Sequence, residues 1–141
     1  MGRKKKLLII TDGSELMTDT AEKIAAVLKE PPFAAYSAST IKAPGFSATD
    51  LLPVHGFFIG CEKPGAFTSL YIEDLFAHIS LTGRPCGIFA VGTKAAAYLA
   101  AFVRNCEAAA GKPLRVKGRA PDAAALRDWI HSILQQGENH E

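Results

Sequence analysis

The chain has 141 residues, 48% hydrophobic and 21% charged, with sixteen basic against fourteen acidic side chains for a net charge of +2. That length suits one domain with a buried core, and the composition excludes a disordered polymer. The apolar runs are too short to span a membrane, and the charge is too balanced to argue for nucleic acid.

The chain opens MGRKKKLLII, basic residues before an apolar stretch. Asp12, Gly13, Ser14 and Glu15 end that stretch too early for a secretory signal, and no small-residue cleavage site follows. Lys6 stands where a myristoylation motif needs Ser or Thr, so the expected location is cytoplasmic. Arg3 to Lys6 reads as a solvated lead-in to the first strand, Leu7 to Thr11, whose unbroken apolar run suits a parallel strand covered on both faces.

A polar loop with Asp12, Ser14, Glu15, Thr18, Asp19 and Thr20 leads into a helix expected from Thr20 to Lys29. Asp19 and Glu22 form an acidic variant of the capping box at its start, and Pro31 and Pro32 stop it. Phe33 to Thr40 is the weakest strand, and residues 41–52 hold at best one helical turn near Asp50. Val54 to Ile59 is a buried strand ending at Gly60 and Cys61, and a GCEKPGAF loop leads to a helix over 68–80.

Cys86 to Val91 reads as the next strand. Thr93 is placed to cap the helix after it, and Gly111 to end that helix. Leu114 to Lys117 is the last strand, and Pro121 opens a final helix closed by Gly137. Five strands alternating with helices imply an α/β fold, a three-layer, doubly wound parallel sheet of order 2-1-3-4-5 in a single domain spanning 1–141. The ligand crevice of such a sheet lies at the carboxyl ends of its first and third strands.

Three chemistries fail on these residues. A phosphoryl-receiver site needs an aspartate after the third strand, where this chain has Gly60 and Cys61. A Cys61 nucleophile needs a cationic neighbour or helix N-terminus to lower its pKa, but Glu62 adjoins it and no Cys-x5-Arg phosphate cradle follows. His55, His78, His131 and His140 show no metal-ligand spacing. Cys61, Cys86 and Cys106, odd in number and far apart, read as reduced thiols.

The stretch HGFFIGCEKPGAFTSLYIEDLFAHISLTGRPCGIFAVGT resembles the middle of a short-chain flavodoxin. A strand ending Gly-Cys, a loop, an acidic-aromatic helix and a strand ending Phe-Ala-x-Gly follow in that family's order. The resemblance implies a flavin mononucleotide (FMN) cofactor, an electron-carrying role and a redox partner protein. Ser14, Thr18 and Thr20 would then hold the phosphate. Gly60, Cys61, Glu62, Lys63, Pro64 and Gly65 would line the flavin edge. Gly92 and Thr93 would border it, and Phe67 and Tyr98 would stack on the ring.

Three features depart from the family's pattern, one being that GTKAAAYLAAF enters a helix almost at once where the family has an acidic, aromatic-rich stretch after the fourth strand. Its phosphate loop runs Ser/Thr-x-Thr-Gly-Asn-Thr, whereas this chain has Ser14-Glu15-Leu16-Met17-Thr18-Asp19-Thr20, without the glycine and asparagine. Flavodoxins are also commonly acidic, and this chain is slightly basic. The alternative expectation is a flavin-free module of the same fold that binds or interacts.

Overall fold

The hydrophobic strands form the centre of the molecule, as their unbroken apolar runs require. The computed structural model describes residues 4–42, 45, 47–67 and 72–138. Strand β1 (Lys5–Thr11) is followed by helix α1 (Glu15–Val27), a 3-10 turn (Pro31–Phe33), β2 (Tyr36–Lys42), the short α2 (Ala48–Leu51) and β3 (Gly56–Cys61). Then come α3 (Ile72–His78), β4 (Pro85–Ala90), α4 (Thr93–Cys106), the short β5 (Ala109–Ala110) and β6 (Leu114–Arg115), and α5 (Ala123–Glu138).

The sheet order is β2-β1-β3-β4-β5, all pairs parallel, with β6 also on β4. This is the doubly wound order expected from the sequence. Strand side chains alternate between faces and build a core on each side. Leu8, Ile10, Phe57 and Ile59 meet α3 and α4, whereas Leu7, Ile9, Phe58 and Phe89 meet α1 and α5. Each fully buried Leu, Ile or Phe contributes about 1.5–3 kcal/mol by leaving water.

Several element ends differ from the sequence expectation. Helix α1 begins at Glu15, not Thr20, because Ser14 takes an extended conformation and its hydroxyl accepts from Met17 N at 3.4 Å. Asp19 therefore sits within the helix and caps nothing. Gly92, not Thr93, is the N-cap of α4, and Thr93 is its first residue. That helix ends at Cys106, with Glu107 in the left-handed conformation (φ 63°) that the sequence assigned to Gly111.

The expected fifth strand is two short pieces, β5 and β6, on the same edge of β4. Pro113 between them has no N–H to donate to a ladder. The carbonyl of Lys112 in the gap accepts instead from Trp129 Nε1 at 2.8 Å. Asp122 caps α5 through Ala125 N at 2.9 Å, so Pro121 lies outside the helix, and Gly137 lies inside it. The expected helix over 68–80 is described from Ile72 to His78, and residues 68–71 lie outside the described residues.

At the opposite, amino end of the sheet, Arg84 Nη1 donates to the carbonyls of Leu51, Leu52 and Val54 at 3.0, 3.0 and 3.1 Å. One guanidinium thus satisfies the carbonyls left over where α2 ends and the chain turns into β3. Among the described residues, no helix is long and apolar enough to cross a membrane.

Candidate functional site

At the carboxyl end of the sheet, three chain segments leave β1, β3 and β4 side by side. The first is a tight turn. Gly13 has φ 85°, a conformation a side chain resists, and the turn folds back on its own polar groups. Gly13 N donates to Thr11 Oγ1 at 3.2 Å, and Ser14 N donates to Asp12 Oδ1 at 3.0 Å. The other oxygen of that carboxylate, Asp12 Oδ2, accepts from Glu62 N at 2.9 Å, across the gap to the segment after β3. Asp12 is thus the link between the two mouths of the crevice. An Asp-Gly pair at the end of a buried strand signals the turn in the sequence, but nothing local signals the bond to Glu62, fifty residues away.

The three hydroxyls assigned to a phosphate go to different places. Ser14 Oγ serves the helix cap. Thr20 is buried and donates to Leu16 O at 2.9 Å, inside its own helix. Thr18 is half-buried, and its Oγ1 is shielded from solvent with no hydrogen-bond partner. The structure brings Ser14 and Glu62 together through Asp12, but it does not gather the three hydroxyls about one point.

The end of β3 and the segment after it differ in character. Lys63, Pro64 and Gly65 are exposed. Gly60 and Cys61, by contrast, belong to the sheet. A Cβ on Gly60 would run into the ring of Phe89, so this glycine makes room for a core ring and not for a ligand. Cys61 is buried, with its Sγ 4.0 Å from Ala95 O. Burial, with a smaller contribution from the nearby Asp12 carboxylate, pushes its thiol pKa up to about 12. A thiol held protonated at neutral pH is no nucleophile, in keeping with the sequence argument.

Phe67 is fully buried, its ring 6.1 Å from that of Phe102. Tyr98 packs edge-on against the same Phe102 ring at 4.7 Å, and its hydroxyl accepts from Phe67 N at 3.0 Å. That hydroxyl donates to Glu73 Oε2 at 3.3 Å. In this arrangement the two aromatics assigned to flavin stacking fasten the loop after β3 to α4, and Phe67 has no exposed face. At the third mouth, no side chain caps Gly92, a Cβ there would meet nothing within 4 Å, and Thr93 is exposed.

Beside these mouths, a groove of about 880 Å³ runs between α1 and the segment before α5. Glu15, Asp19, Glu22 and Glu62 line it, against Lys23 and Arg119. The sequence argument located Glu62 but missed Arg119, which reaches the crevice only because the chain after β6 returns beside β4. Among the described residues no group of three or more His, Cys, Asp or Glu could hold a metal ion.

No family model matches the sequence, and no curated protein does. Solved structures do match. A short-chain flavodoxin associated with a non-canonical PDU bacterial microcompartment superposes with TM-score 0.71 at 10% identity, covering 96% of this chain and 99% of its own. Oxidised flavodoxin 2 from Bacillus cereus gives 0.67 at 18% identity, over 96% of this chain and 99% of that one. A flavodoxin of Streptococcus pneumoniae TIGR4 gives 0.66 at 14%, over 94% of both chains. The fold is therefore flavodoxin-like across nearly the whole chain, and at these identities the likeness extends to the fold alone.

Proposed function

We propose that this flavodoxin-like protein is a flavin-free module that binds or interacts through the carboxyl end of its sheet. The observation that carries this reading is the Asp12 carboxylate bridging Ser14 N and Glu62 N. Those are backbone donors at the mouths where an FMN phosphate and flavin edge would need them, and the protein's own anion already occupies them. A phosphate displacing Asp12 would leave that carboxylate without its hydrogen bonds and close to a second anion, which is doubly unfavourable.

The rest of the site agrees. Residues 15–20, which correspond to the family's phosphate-wrapping loop, are helical here, so no loop remains to wrap. The neighbouring groove presents four carboxylates against two cations, and a dianionic phosphate is repelled there. The residues present do not fit FMN.

A second reading, an FMN-dependent electron carrier serving a redox partner protein, is favoured by two observations. The match to flavodoxin structures covers 94–96% of this chain. The shielded Thr18 hydroxyl has no hydrogen-bond partner, and a ligand oxygen would supply one. Purification and titration separate the two readings. The flavin-free reading predicts a colourless protein that neither quenches FMN fluorescence saturably nor gains melting temperature with FMN. A yellow protein, or saturable quenching with a raised melting temperature, rejects it in favour of the carrier.

A further inference from the structure

A basic groove adjoins the acidic one and shares Lys23, Arg119 and Ala120 with it. Arg115, Lys117 and Arg119, with Lys23 of α1 opposite them, line a second groove of about 520 Å³. All four cations are exposed. The ion pairs among the described residues are Asp74–His78 and Glu30–Arg127, so none of the four is paired. The groove's one carboxylate, Asp122, is engaged in capping α5 through Ala125 N. Four cations against one carboxylate line this groove, and because Lys23 and Arg119 also border the acidic one, Arg115 and Lys117 are the cations that belong to it alone.

The chain holds these charges together against their repulsion. Lys117 and Arg119 face each other as an antiparallel bridge, with Arg119 N donating to Lys117 O at 2.6 Å. Gly118 between them has φ 66°, the left-handed conformation such a tight turn requires. Like charges directly opposite each other are destabilising unless an anion lies between them. The groove is also concave and lies at the carboxyl end of a parallel sheet.

We propose that this groove binds the phosphate group of a small molecule, a phosphate ester or pyrophosphate, through Lys23, Arg115, Lys117 and Arg119. The two guanidinium groups supply planar paired donors suited to phosphate oxygens, and the lysines supply point charge. The site differs from the β1–α1 turn, where the protein's own carboxylate fills the donor positions.

The test is a titration of the 15N-labelled full chain with pyrophosphate at low salt, following backbone amide shifts. Saturable shifts at Lys23 and across Arg115–Asp122 are expected, with a dissociation constant of about 1 mM or tighter. Replacing Arg115, Lys117 and Arg119 together by Gln should weaken binding at least about tenfold, with the fold confirmed by melting. Asp122→Asn keeps a capping side chain, removes the one negative charge and should strengthen binding about two- to threefold.

Shifts that rise linearly without saturating, or that persist undiminished in the triple variant, overturn the proposal. So does a short nucleic-acid duplex that moves the same amides at about a hundredfold lower concentration, since it makes the groove a polyanion surface. Titration with FMN keeps the two proposals separate. Shifts at 115–122 without fluorescence quenching support the groove and leave the flavin-free reading intact. Quenching with no shift at 115–122 overturns the flavin-free reading and leaves the pyrophosphate result to decide the groove.

Discussion

The β1–α1 and β4–α4 turns flank β3 over one crevice, and the chain treats them in opposite ways. At the first, Thr11, Asp12 and Ser14 turn their oxygens onto backbone N–H groups, so the start of α1 is closed by its own side chains. At the second, Gly92 offers no side chain, and α4 begins open to solvent. Both positions suit a ligand by topology alone. What separates them is whether the donors are already used.

The largest expected effect comes from breaking the closed turn. Asp12→Ala strands two half-buried N–H groups that now meet a carboxylate, and it should destabilise the protein by about 2–3 kcal/mol in urea unfolding. The same change frees both donors, so an affinity for FMN absent from the parent should appear in a fluorescence or calorimetric titration. Loss of stability without any gain of affinity would mean that Asp12 holds the fold but does not exclude the ligand.

Alkaline pH stresses the same turn more gently. Cys61, beside Asp12, titrates near 9 when unfolded and at about 12 when folded. Between those values the unfolded chain has lost the proton that the folded one keeps. Stability from this thiol is therefore complete below pH 9 and is lost as pH rises toward about 12. The slope is about 1.4 kcal/mol per pH unit for one such group. Cys61→Ser should flatten the fall measured by denaturant unfolding at stepped pH, although burial also raises Cys86 and Cys106 and leaves a residue of it.

The smallest effects compare the two helix starts directly. Ser14→Ala removes the α1 cap and should cost about 1 kcal/mol. Gly92→Ser adds a capping hydroxyl in open space at an extended backbone position (φ −165°, ψ 175°) and should gain about 0.5 kcal/mol. Melting shifts of opposite sign, with the Ser14→Ala loss about twice the Gly92→Ser gain, would place the two turns on one scale. A loss from Gly92→Ser would show that the second turn is less open than its geometry.

The fold was legible because its signals are local and repeated. Leu7 to Thr11 and Val54 to Ile59 are apolar runs of strand length, and the spacing of strands and helices leaves few topologies for a parallel sheet. The site was legible only in position. Ser14 was expected at the turn and stands there, but its role as helix cap depended on where α1 starts. Asp19 looked like that cap because Thr18 and Thr20 resembled loop residues, yet the chain prefers to bury Met17, Thr20 and Ala21 and so extends the helix back to Glu15. The Asp12–Glu62 bond and the place of Arg119 are products of tertiary approach, and no spacing in the sequence encodes them.

The most direct test of the closed crevice is hydrogen exchange at the Ser14 and Glu62 amides, with and without excess FMN. If Asp12 holds both donors, the two amides are protected in the free protein and FMN changes neither. Rapid exchange in the free protein that becomes slow only when FMN is added would contradict the account.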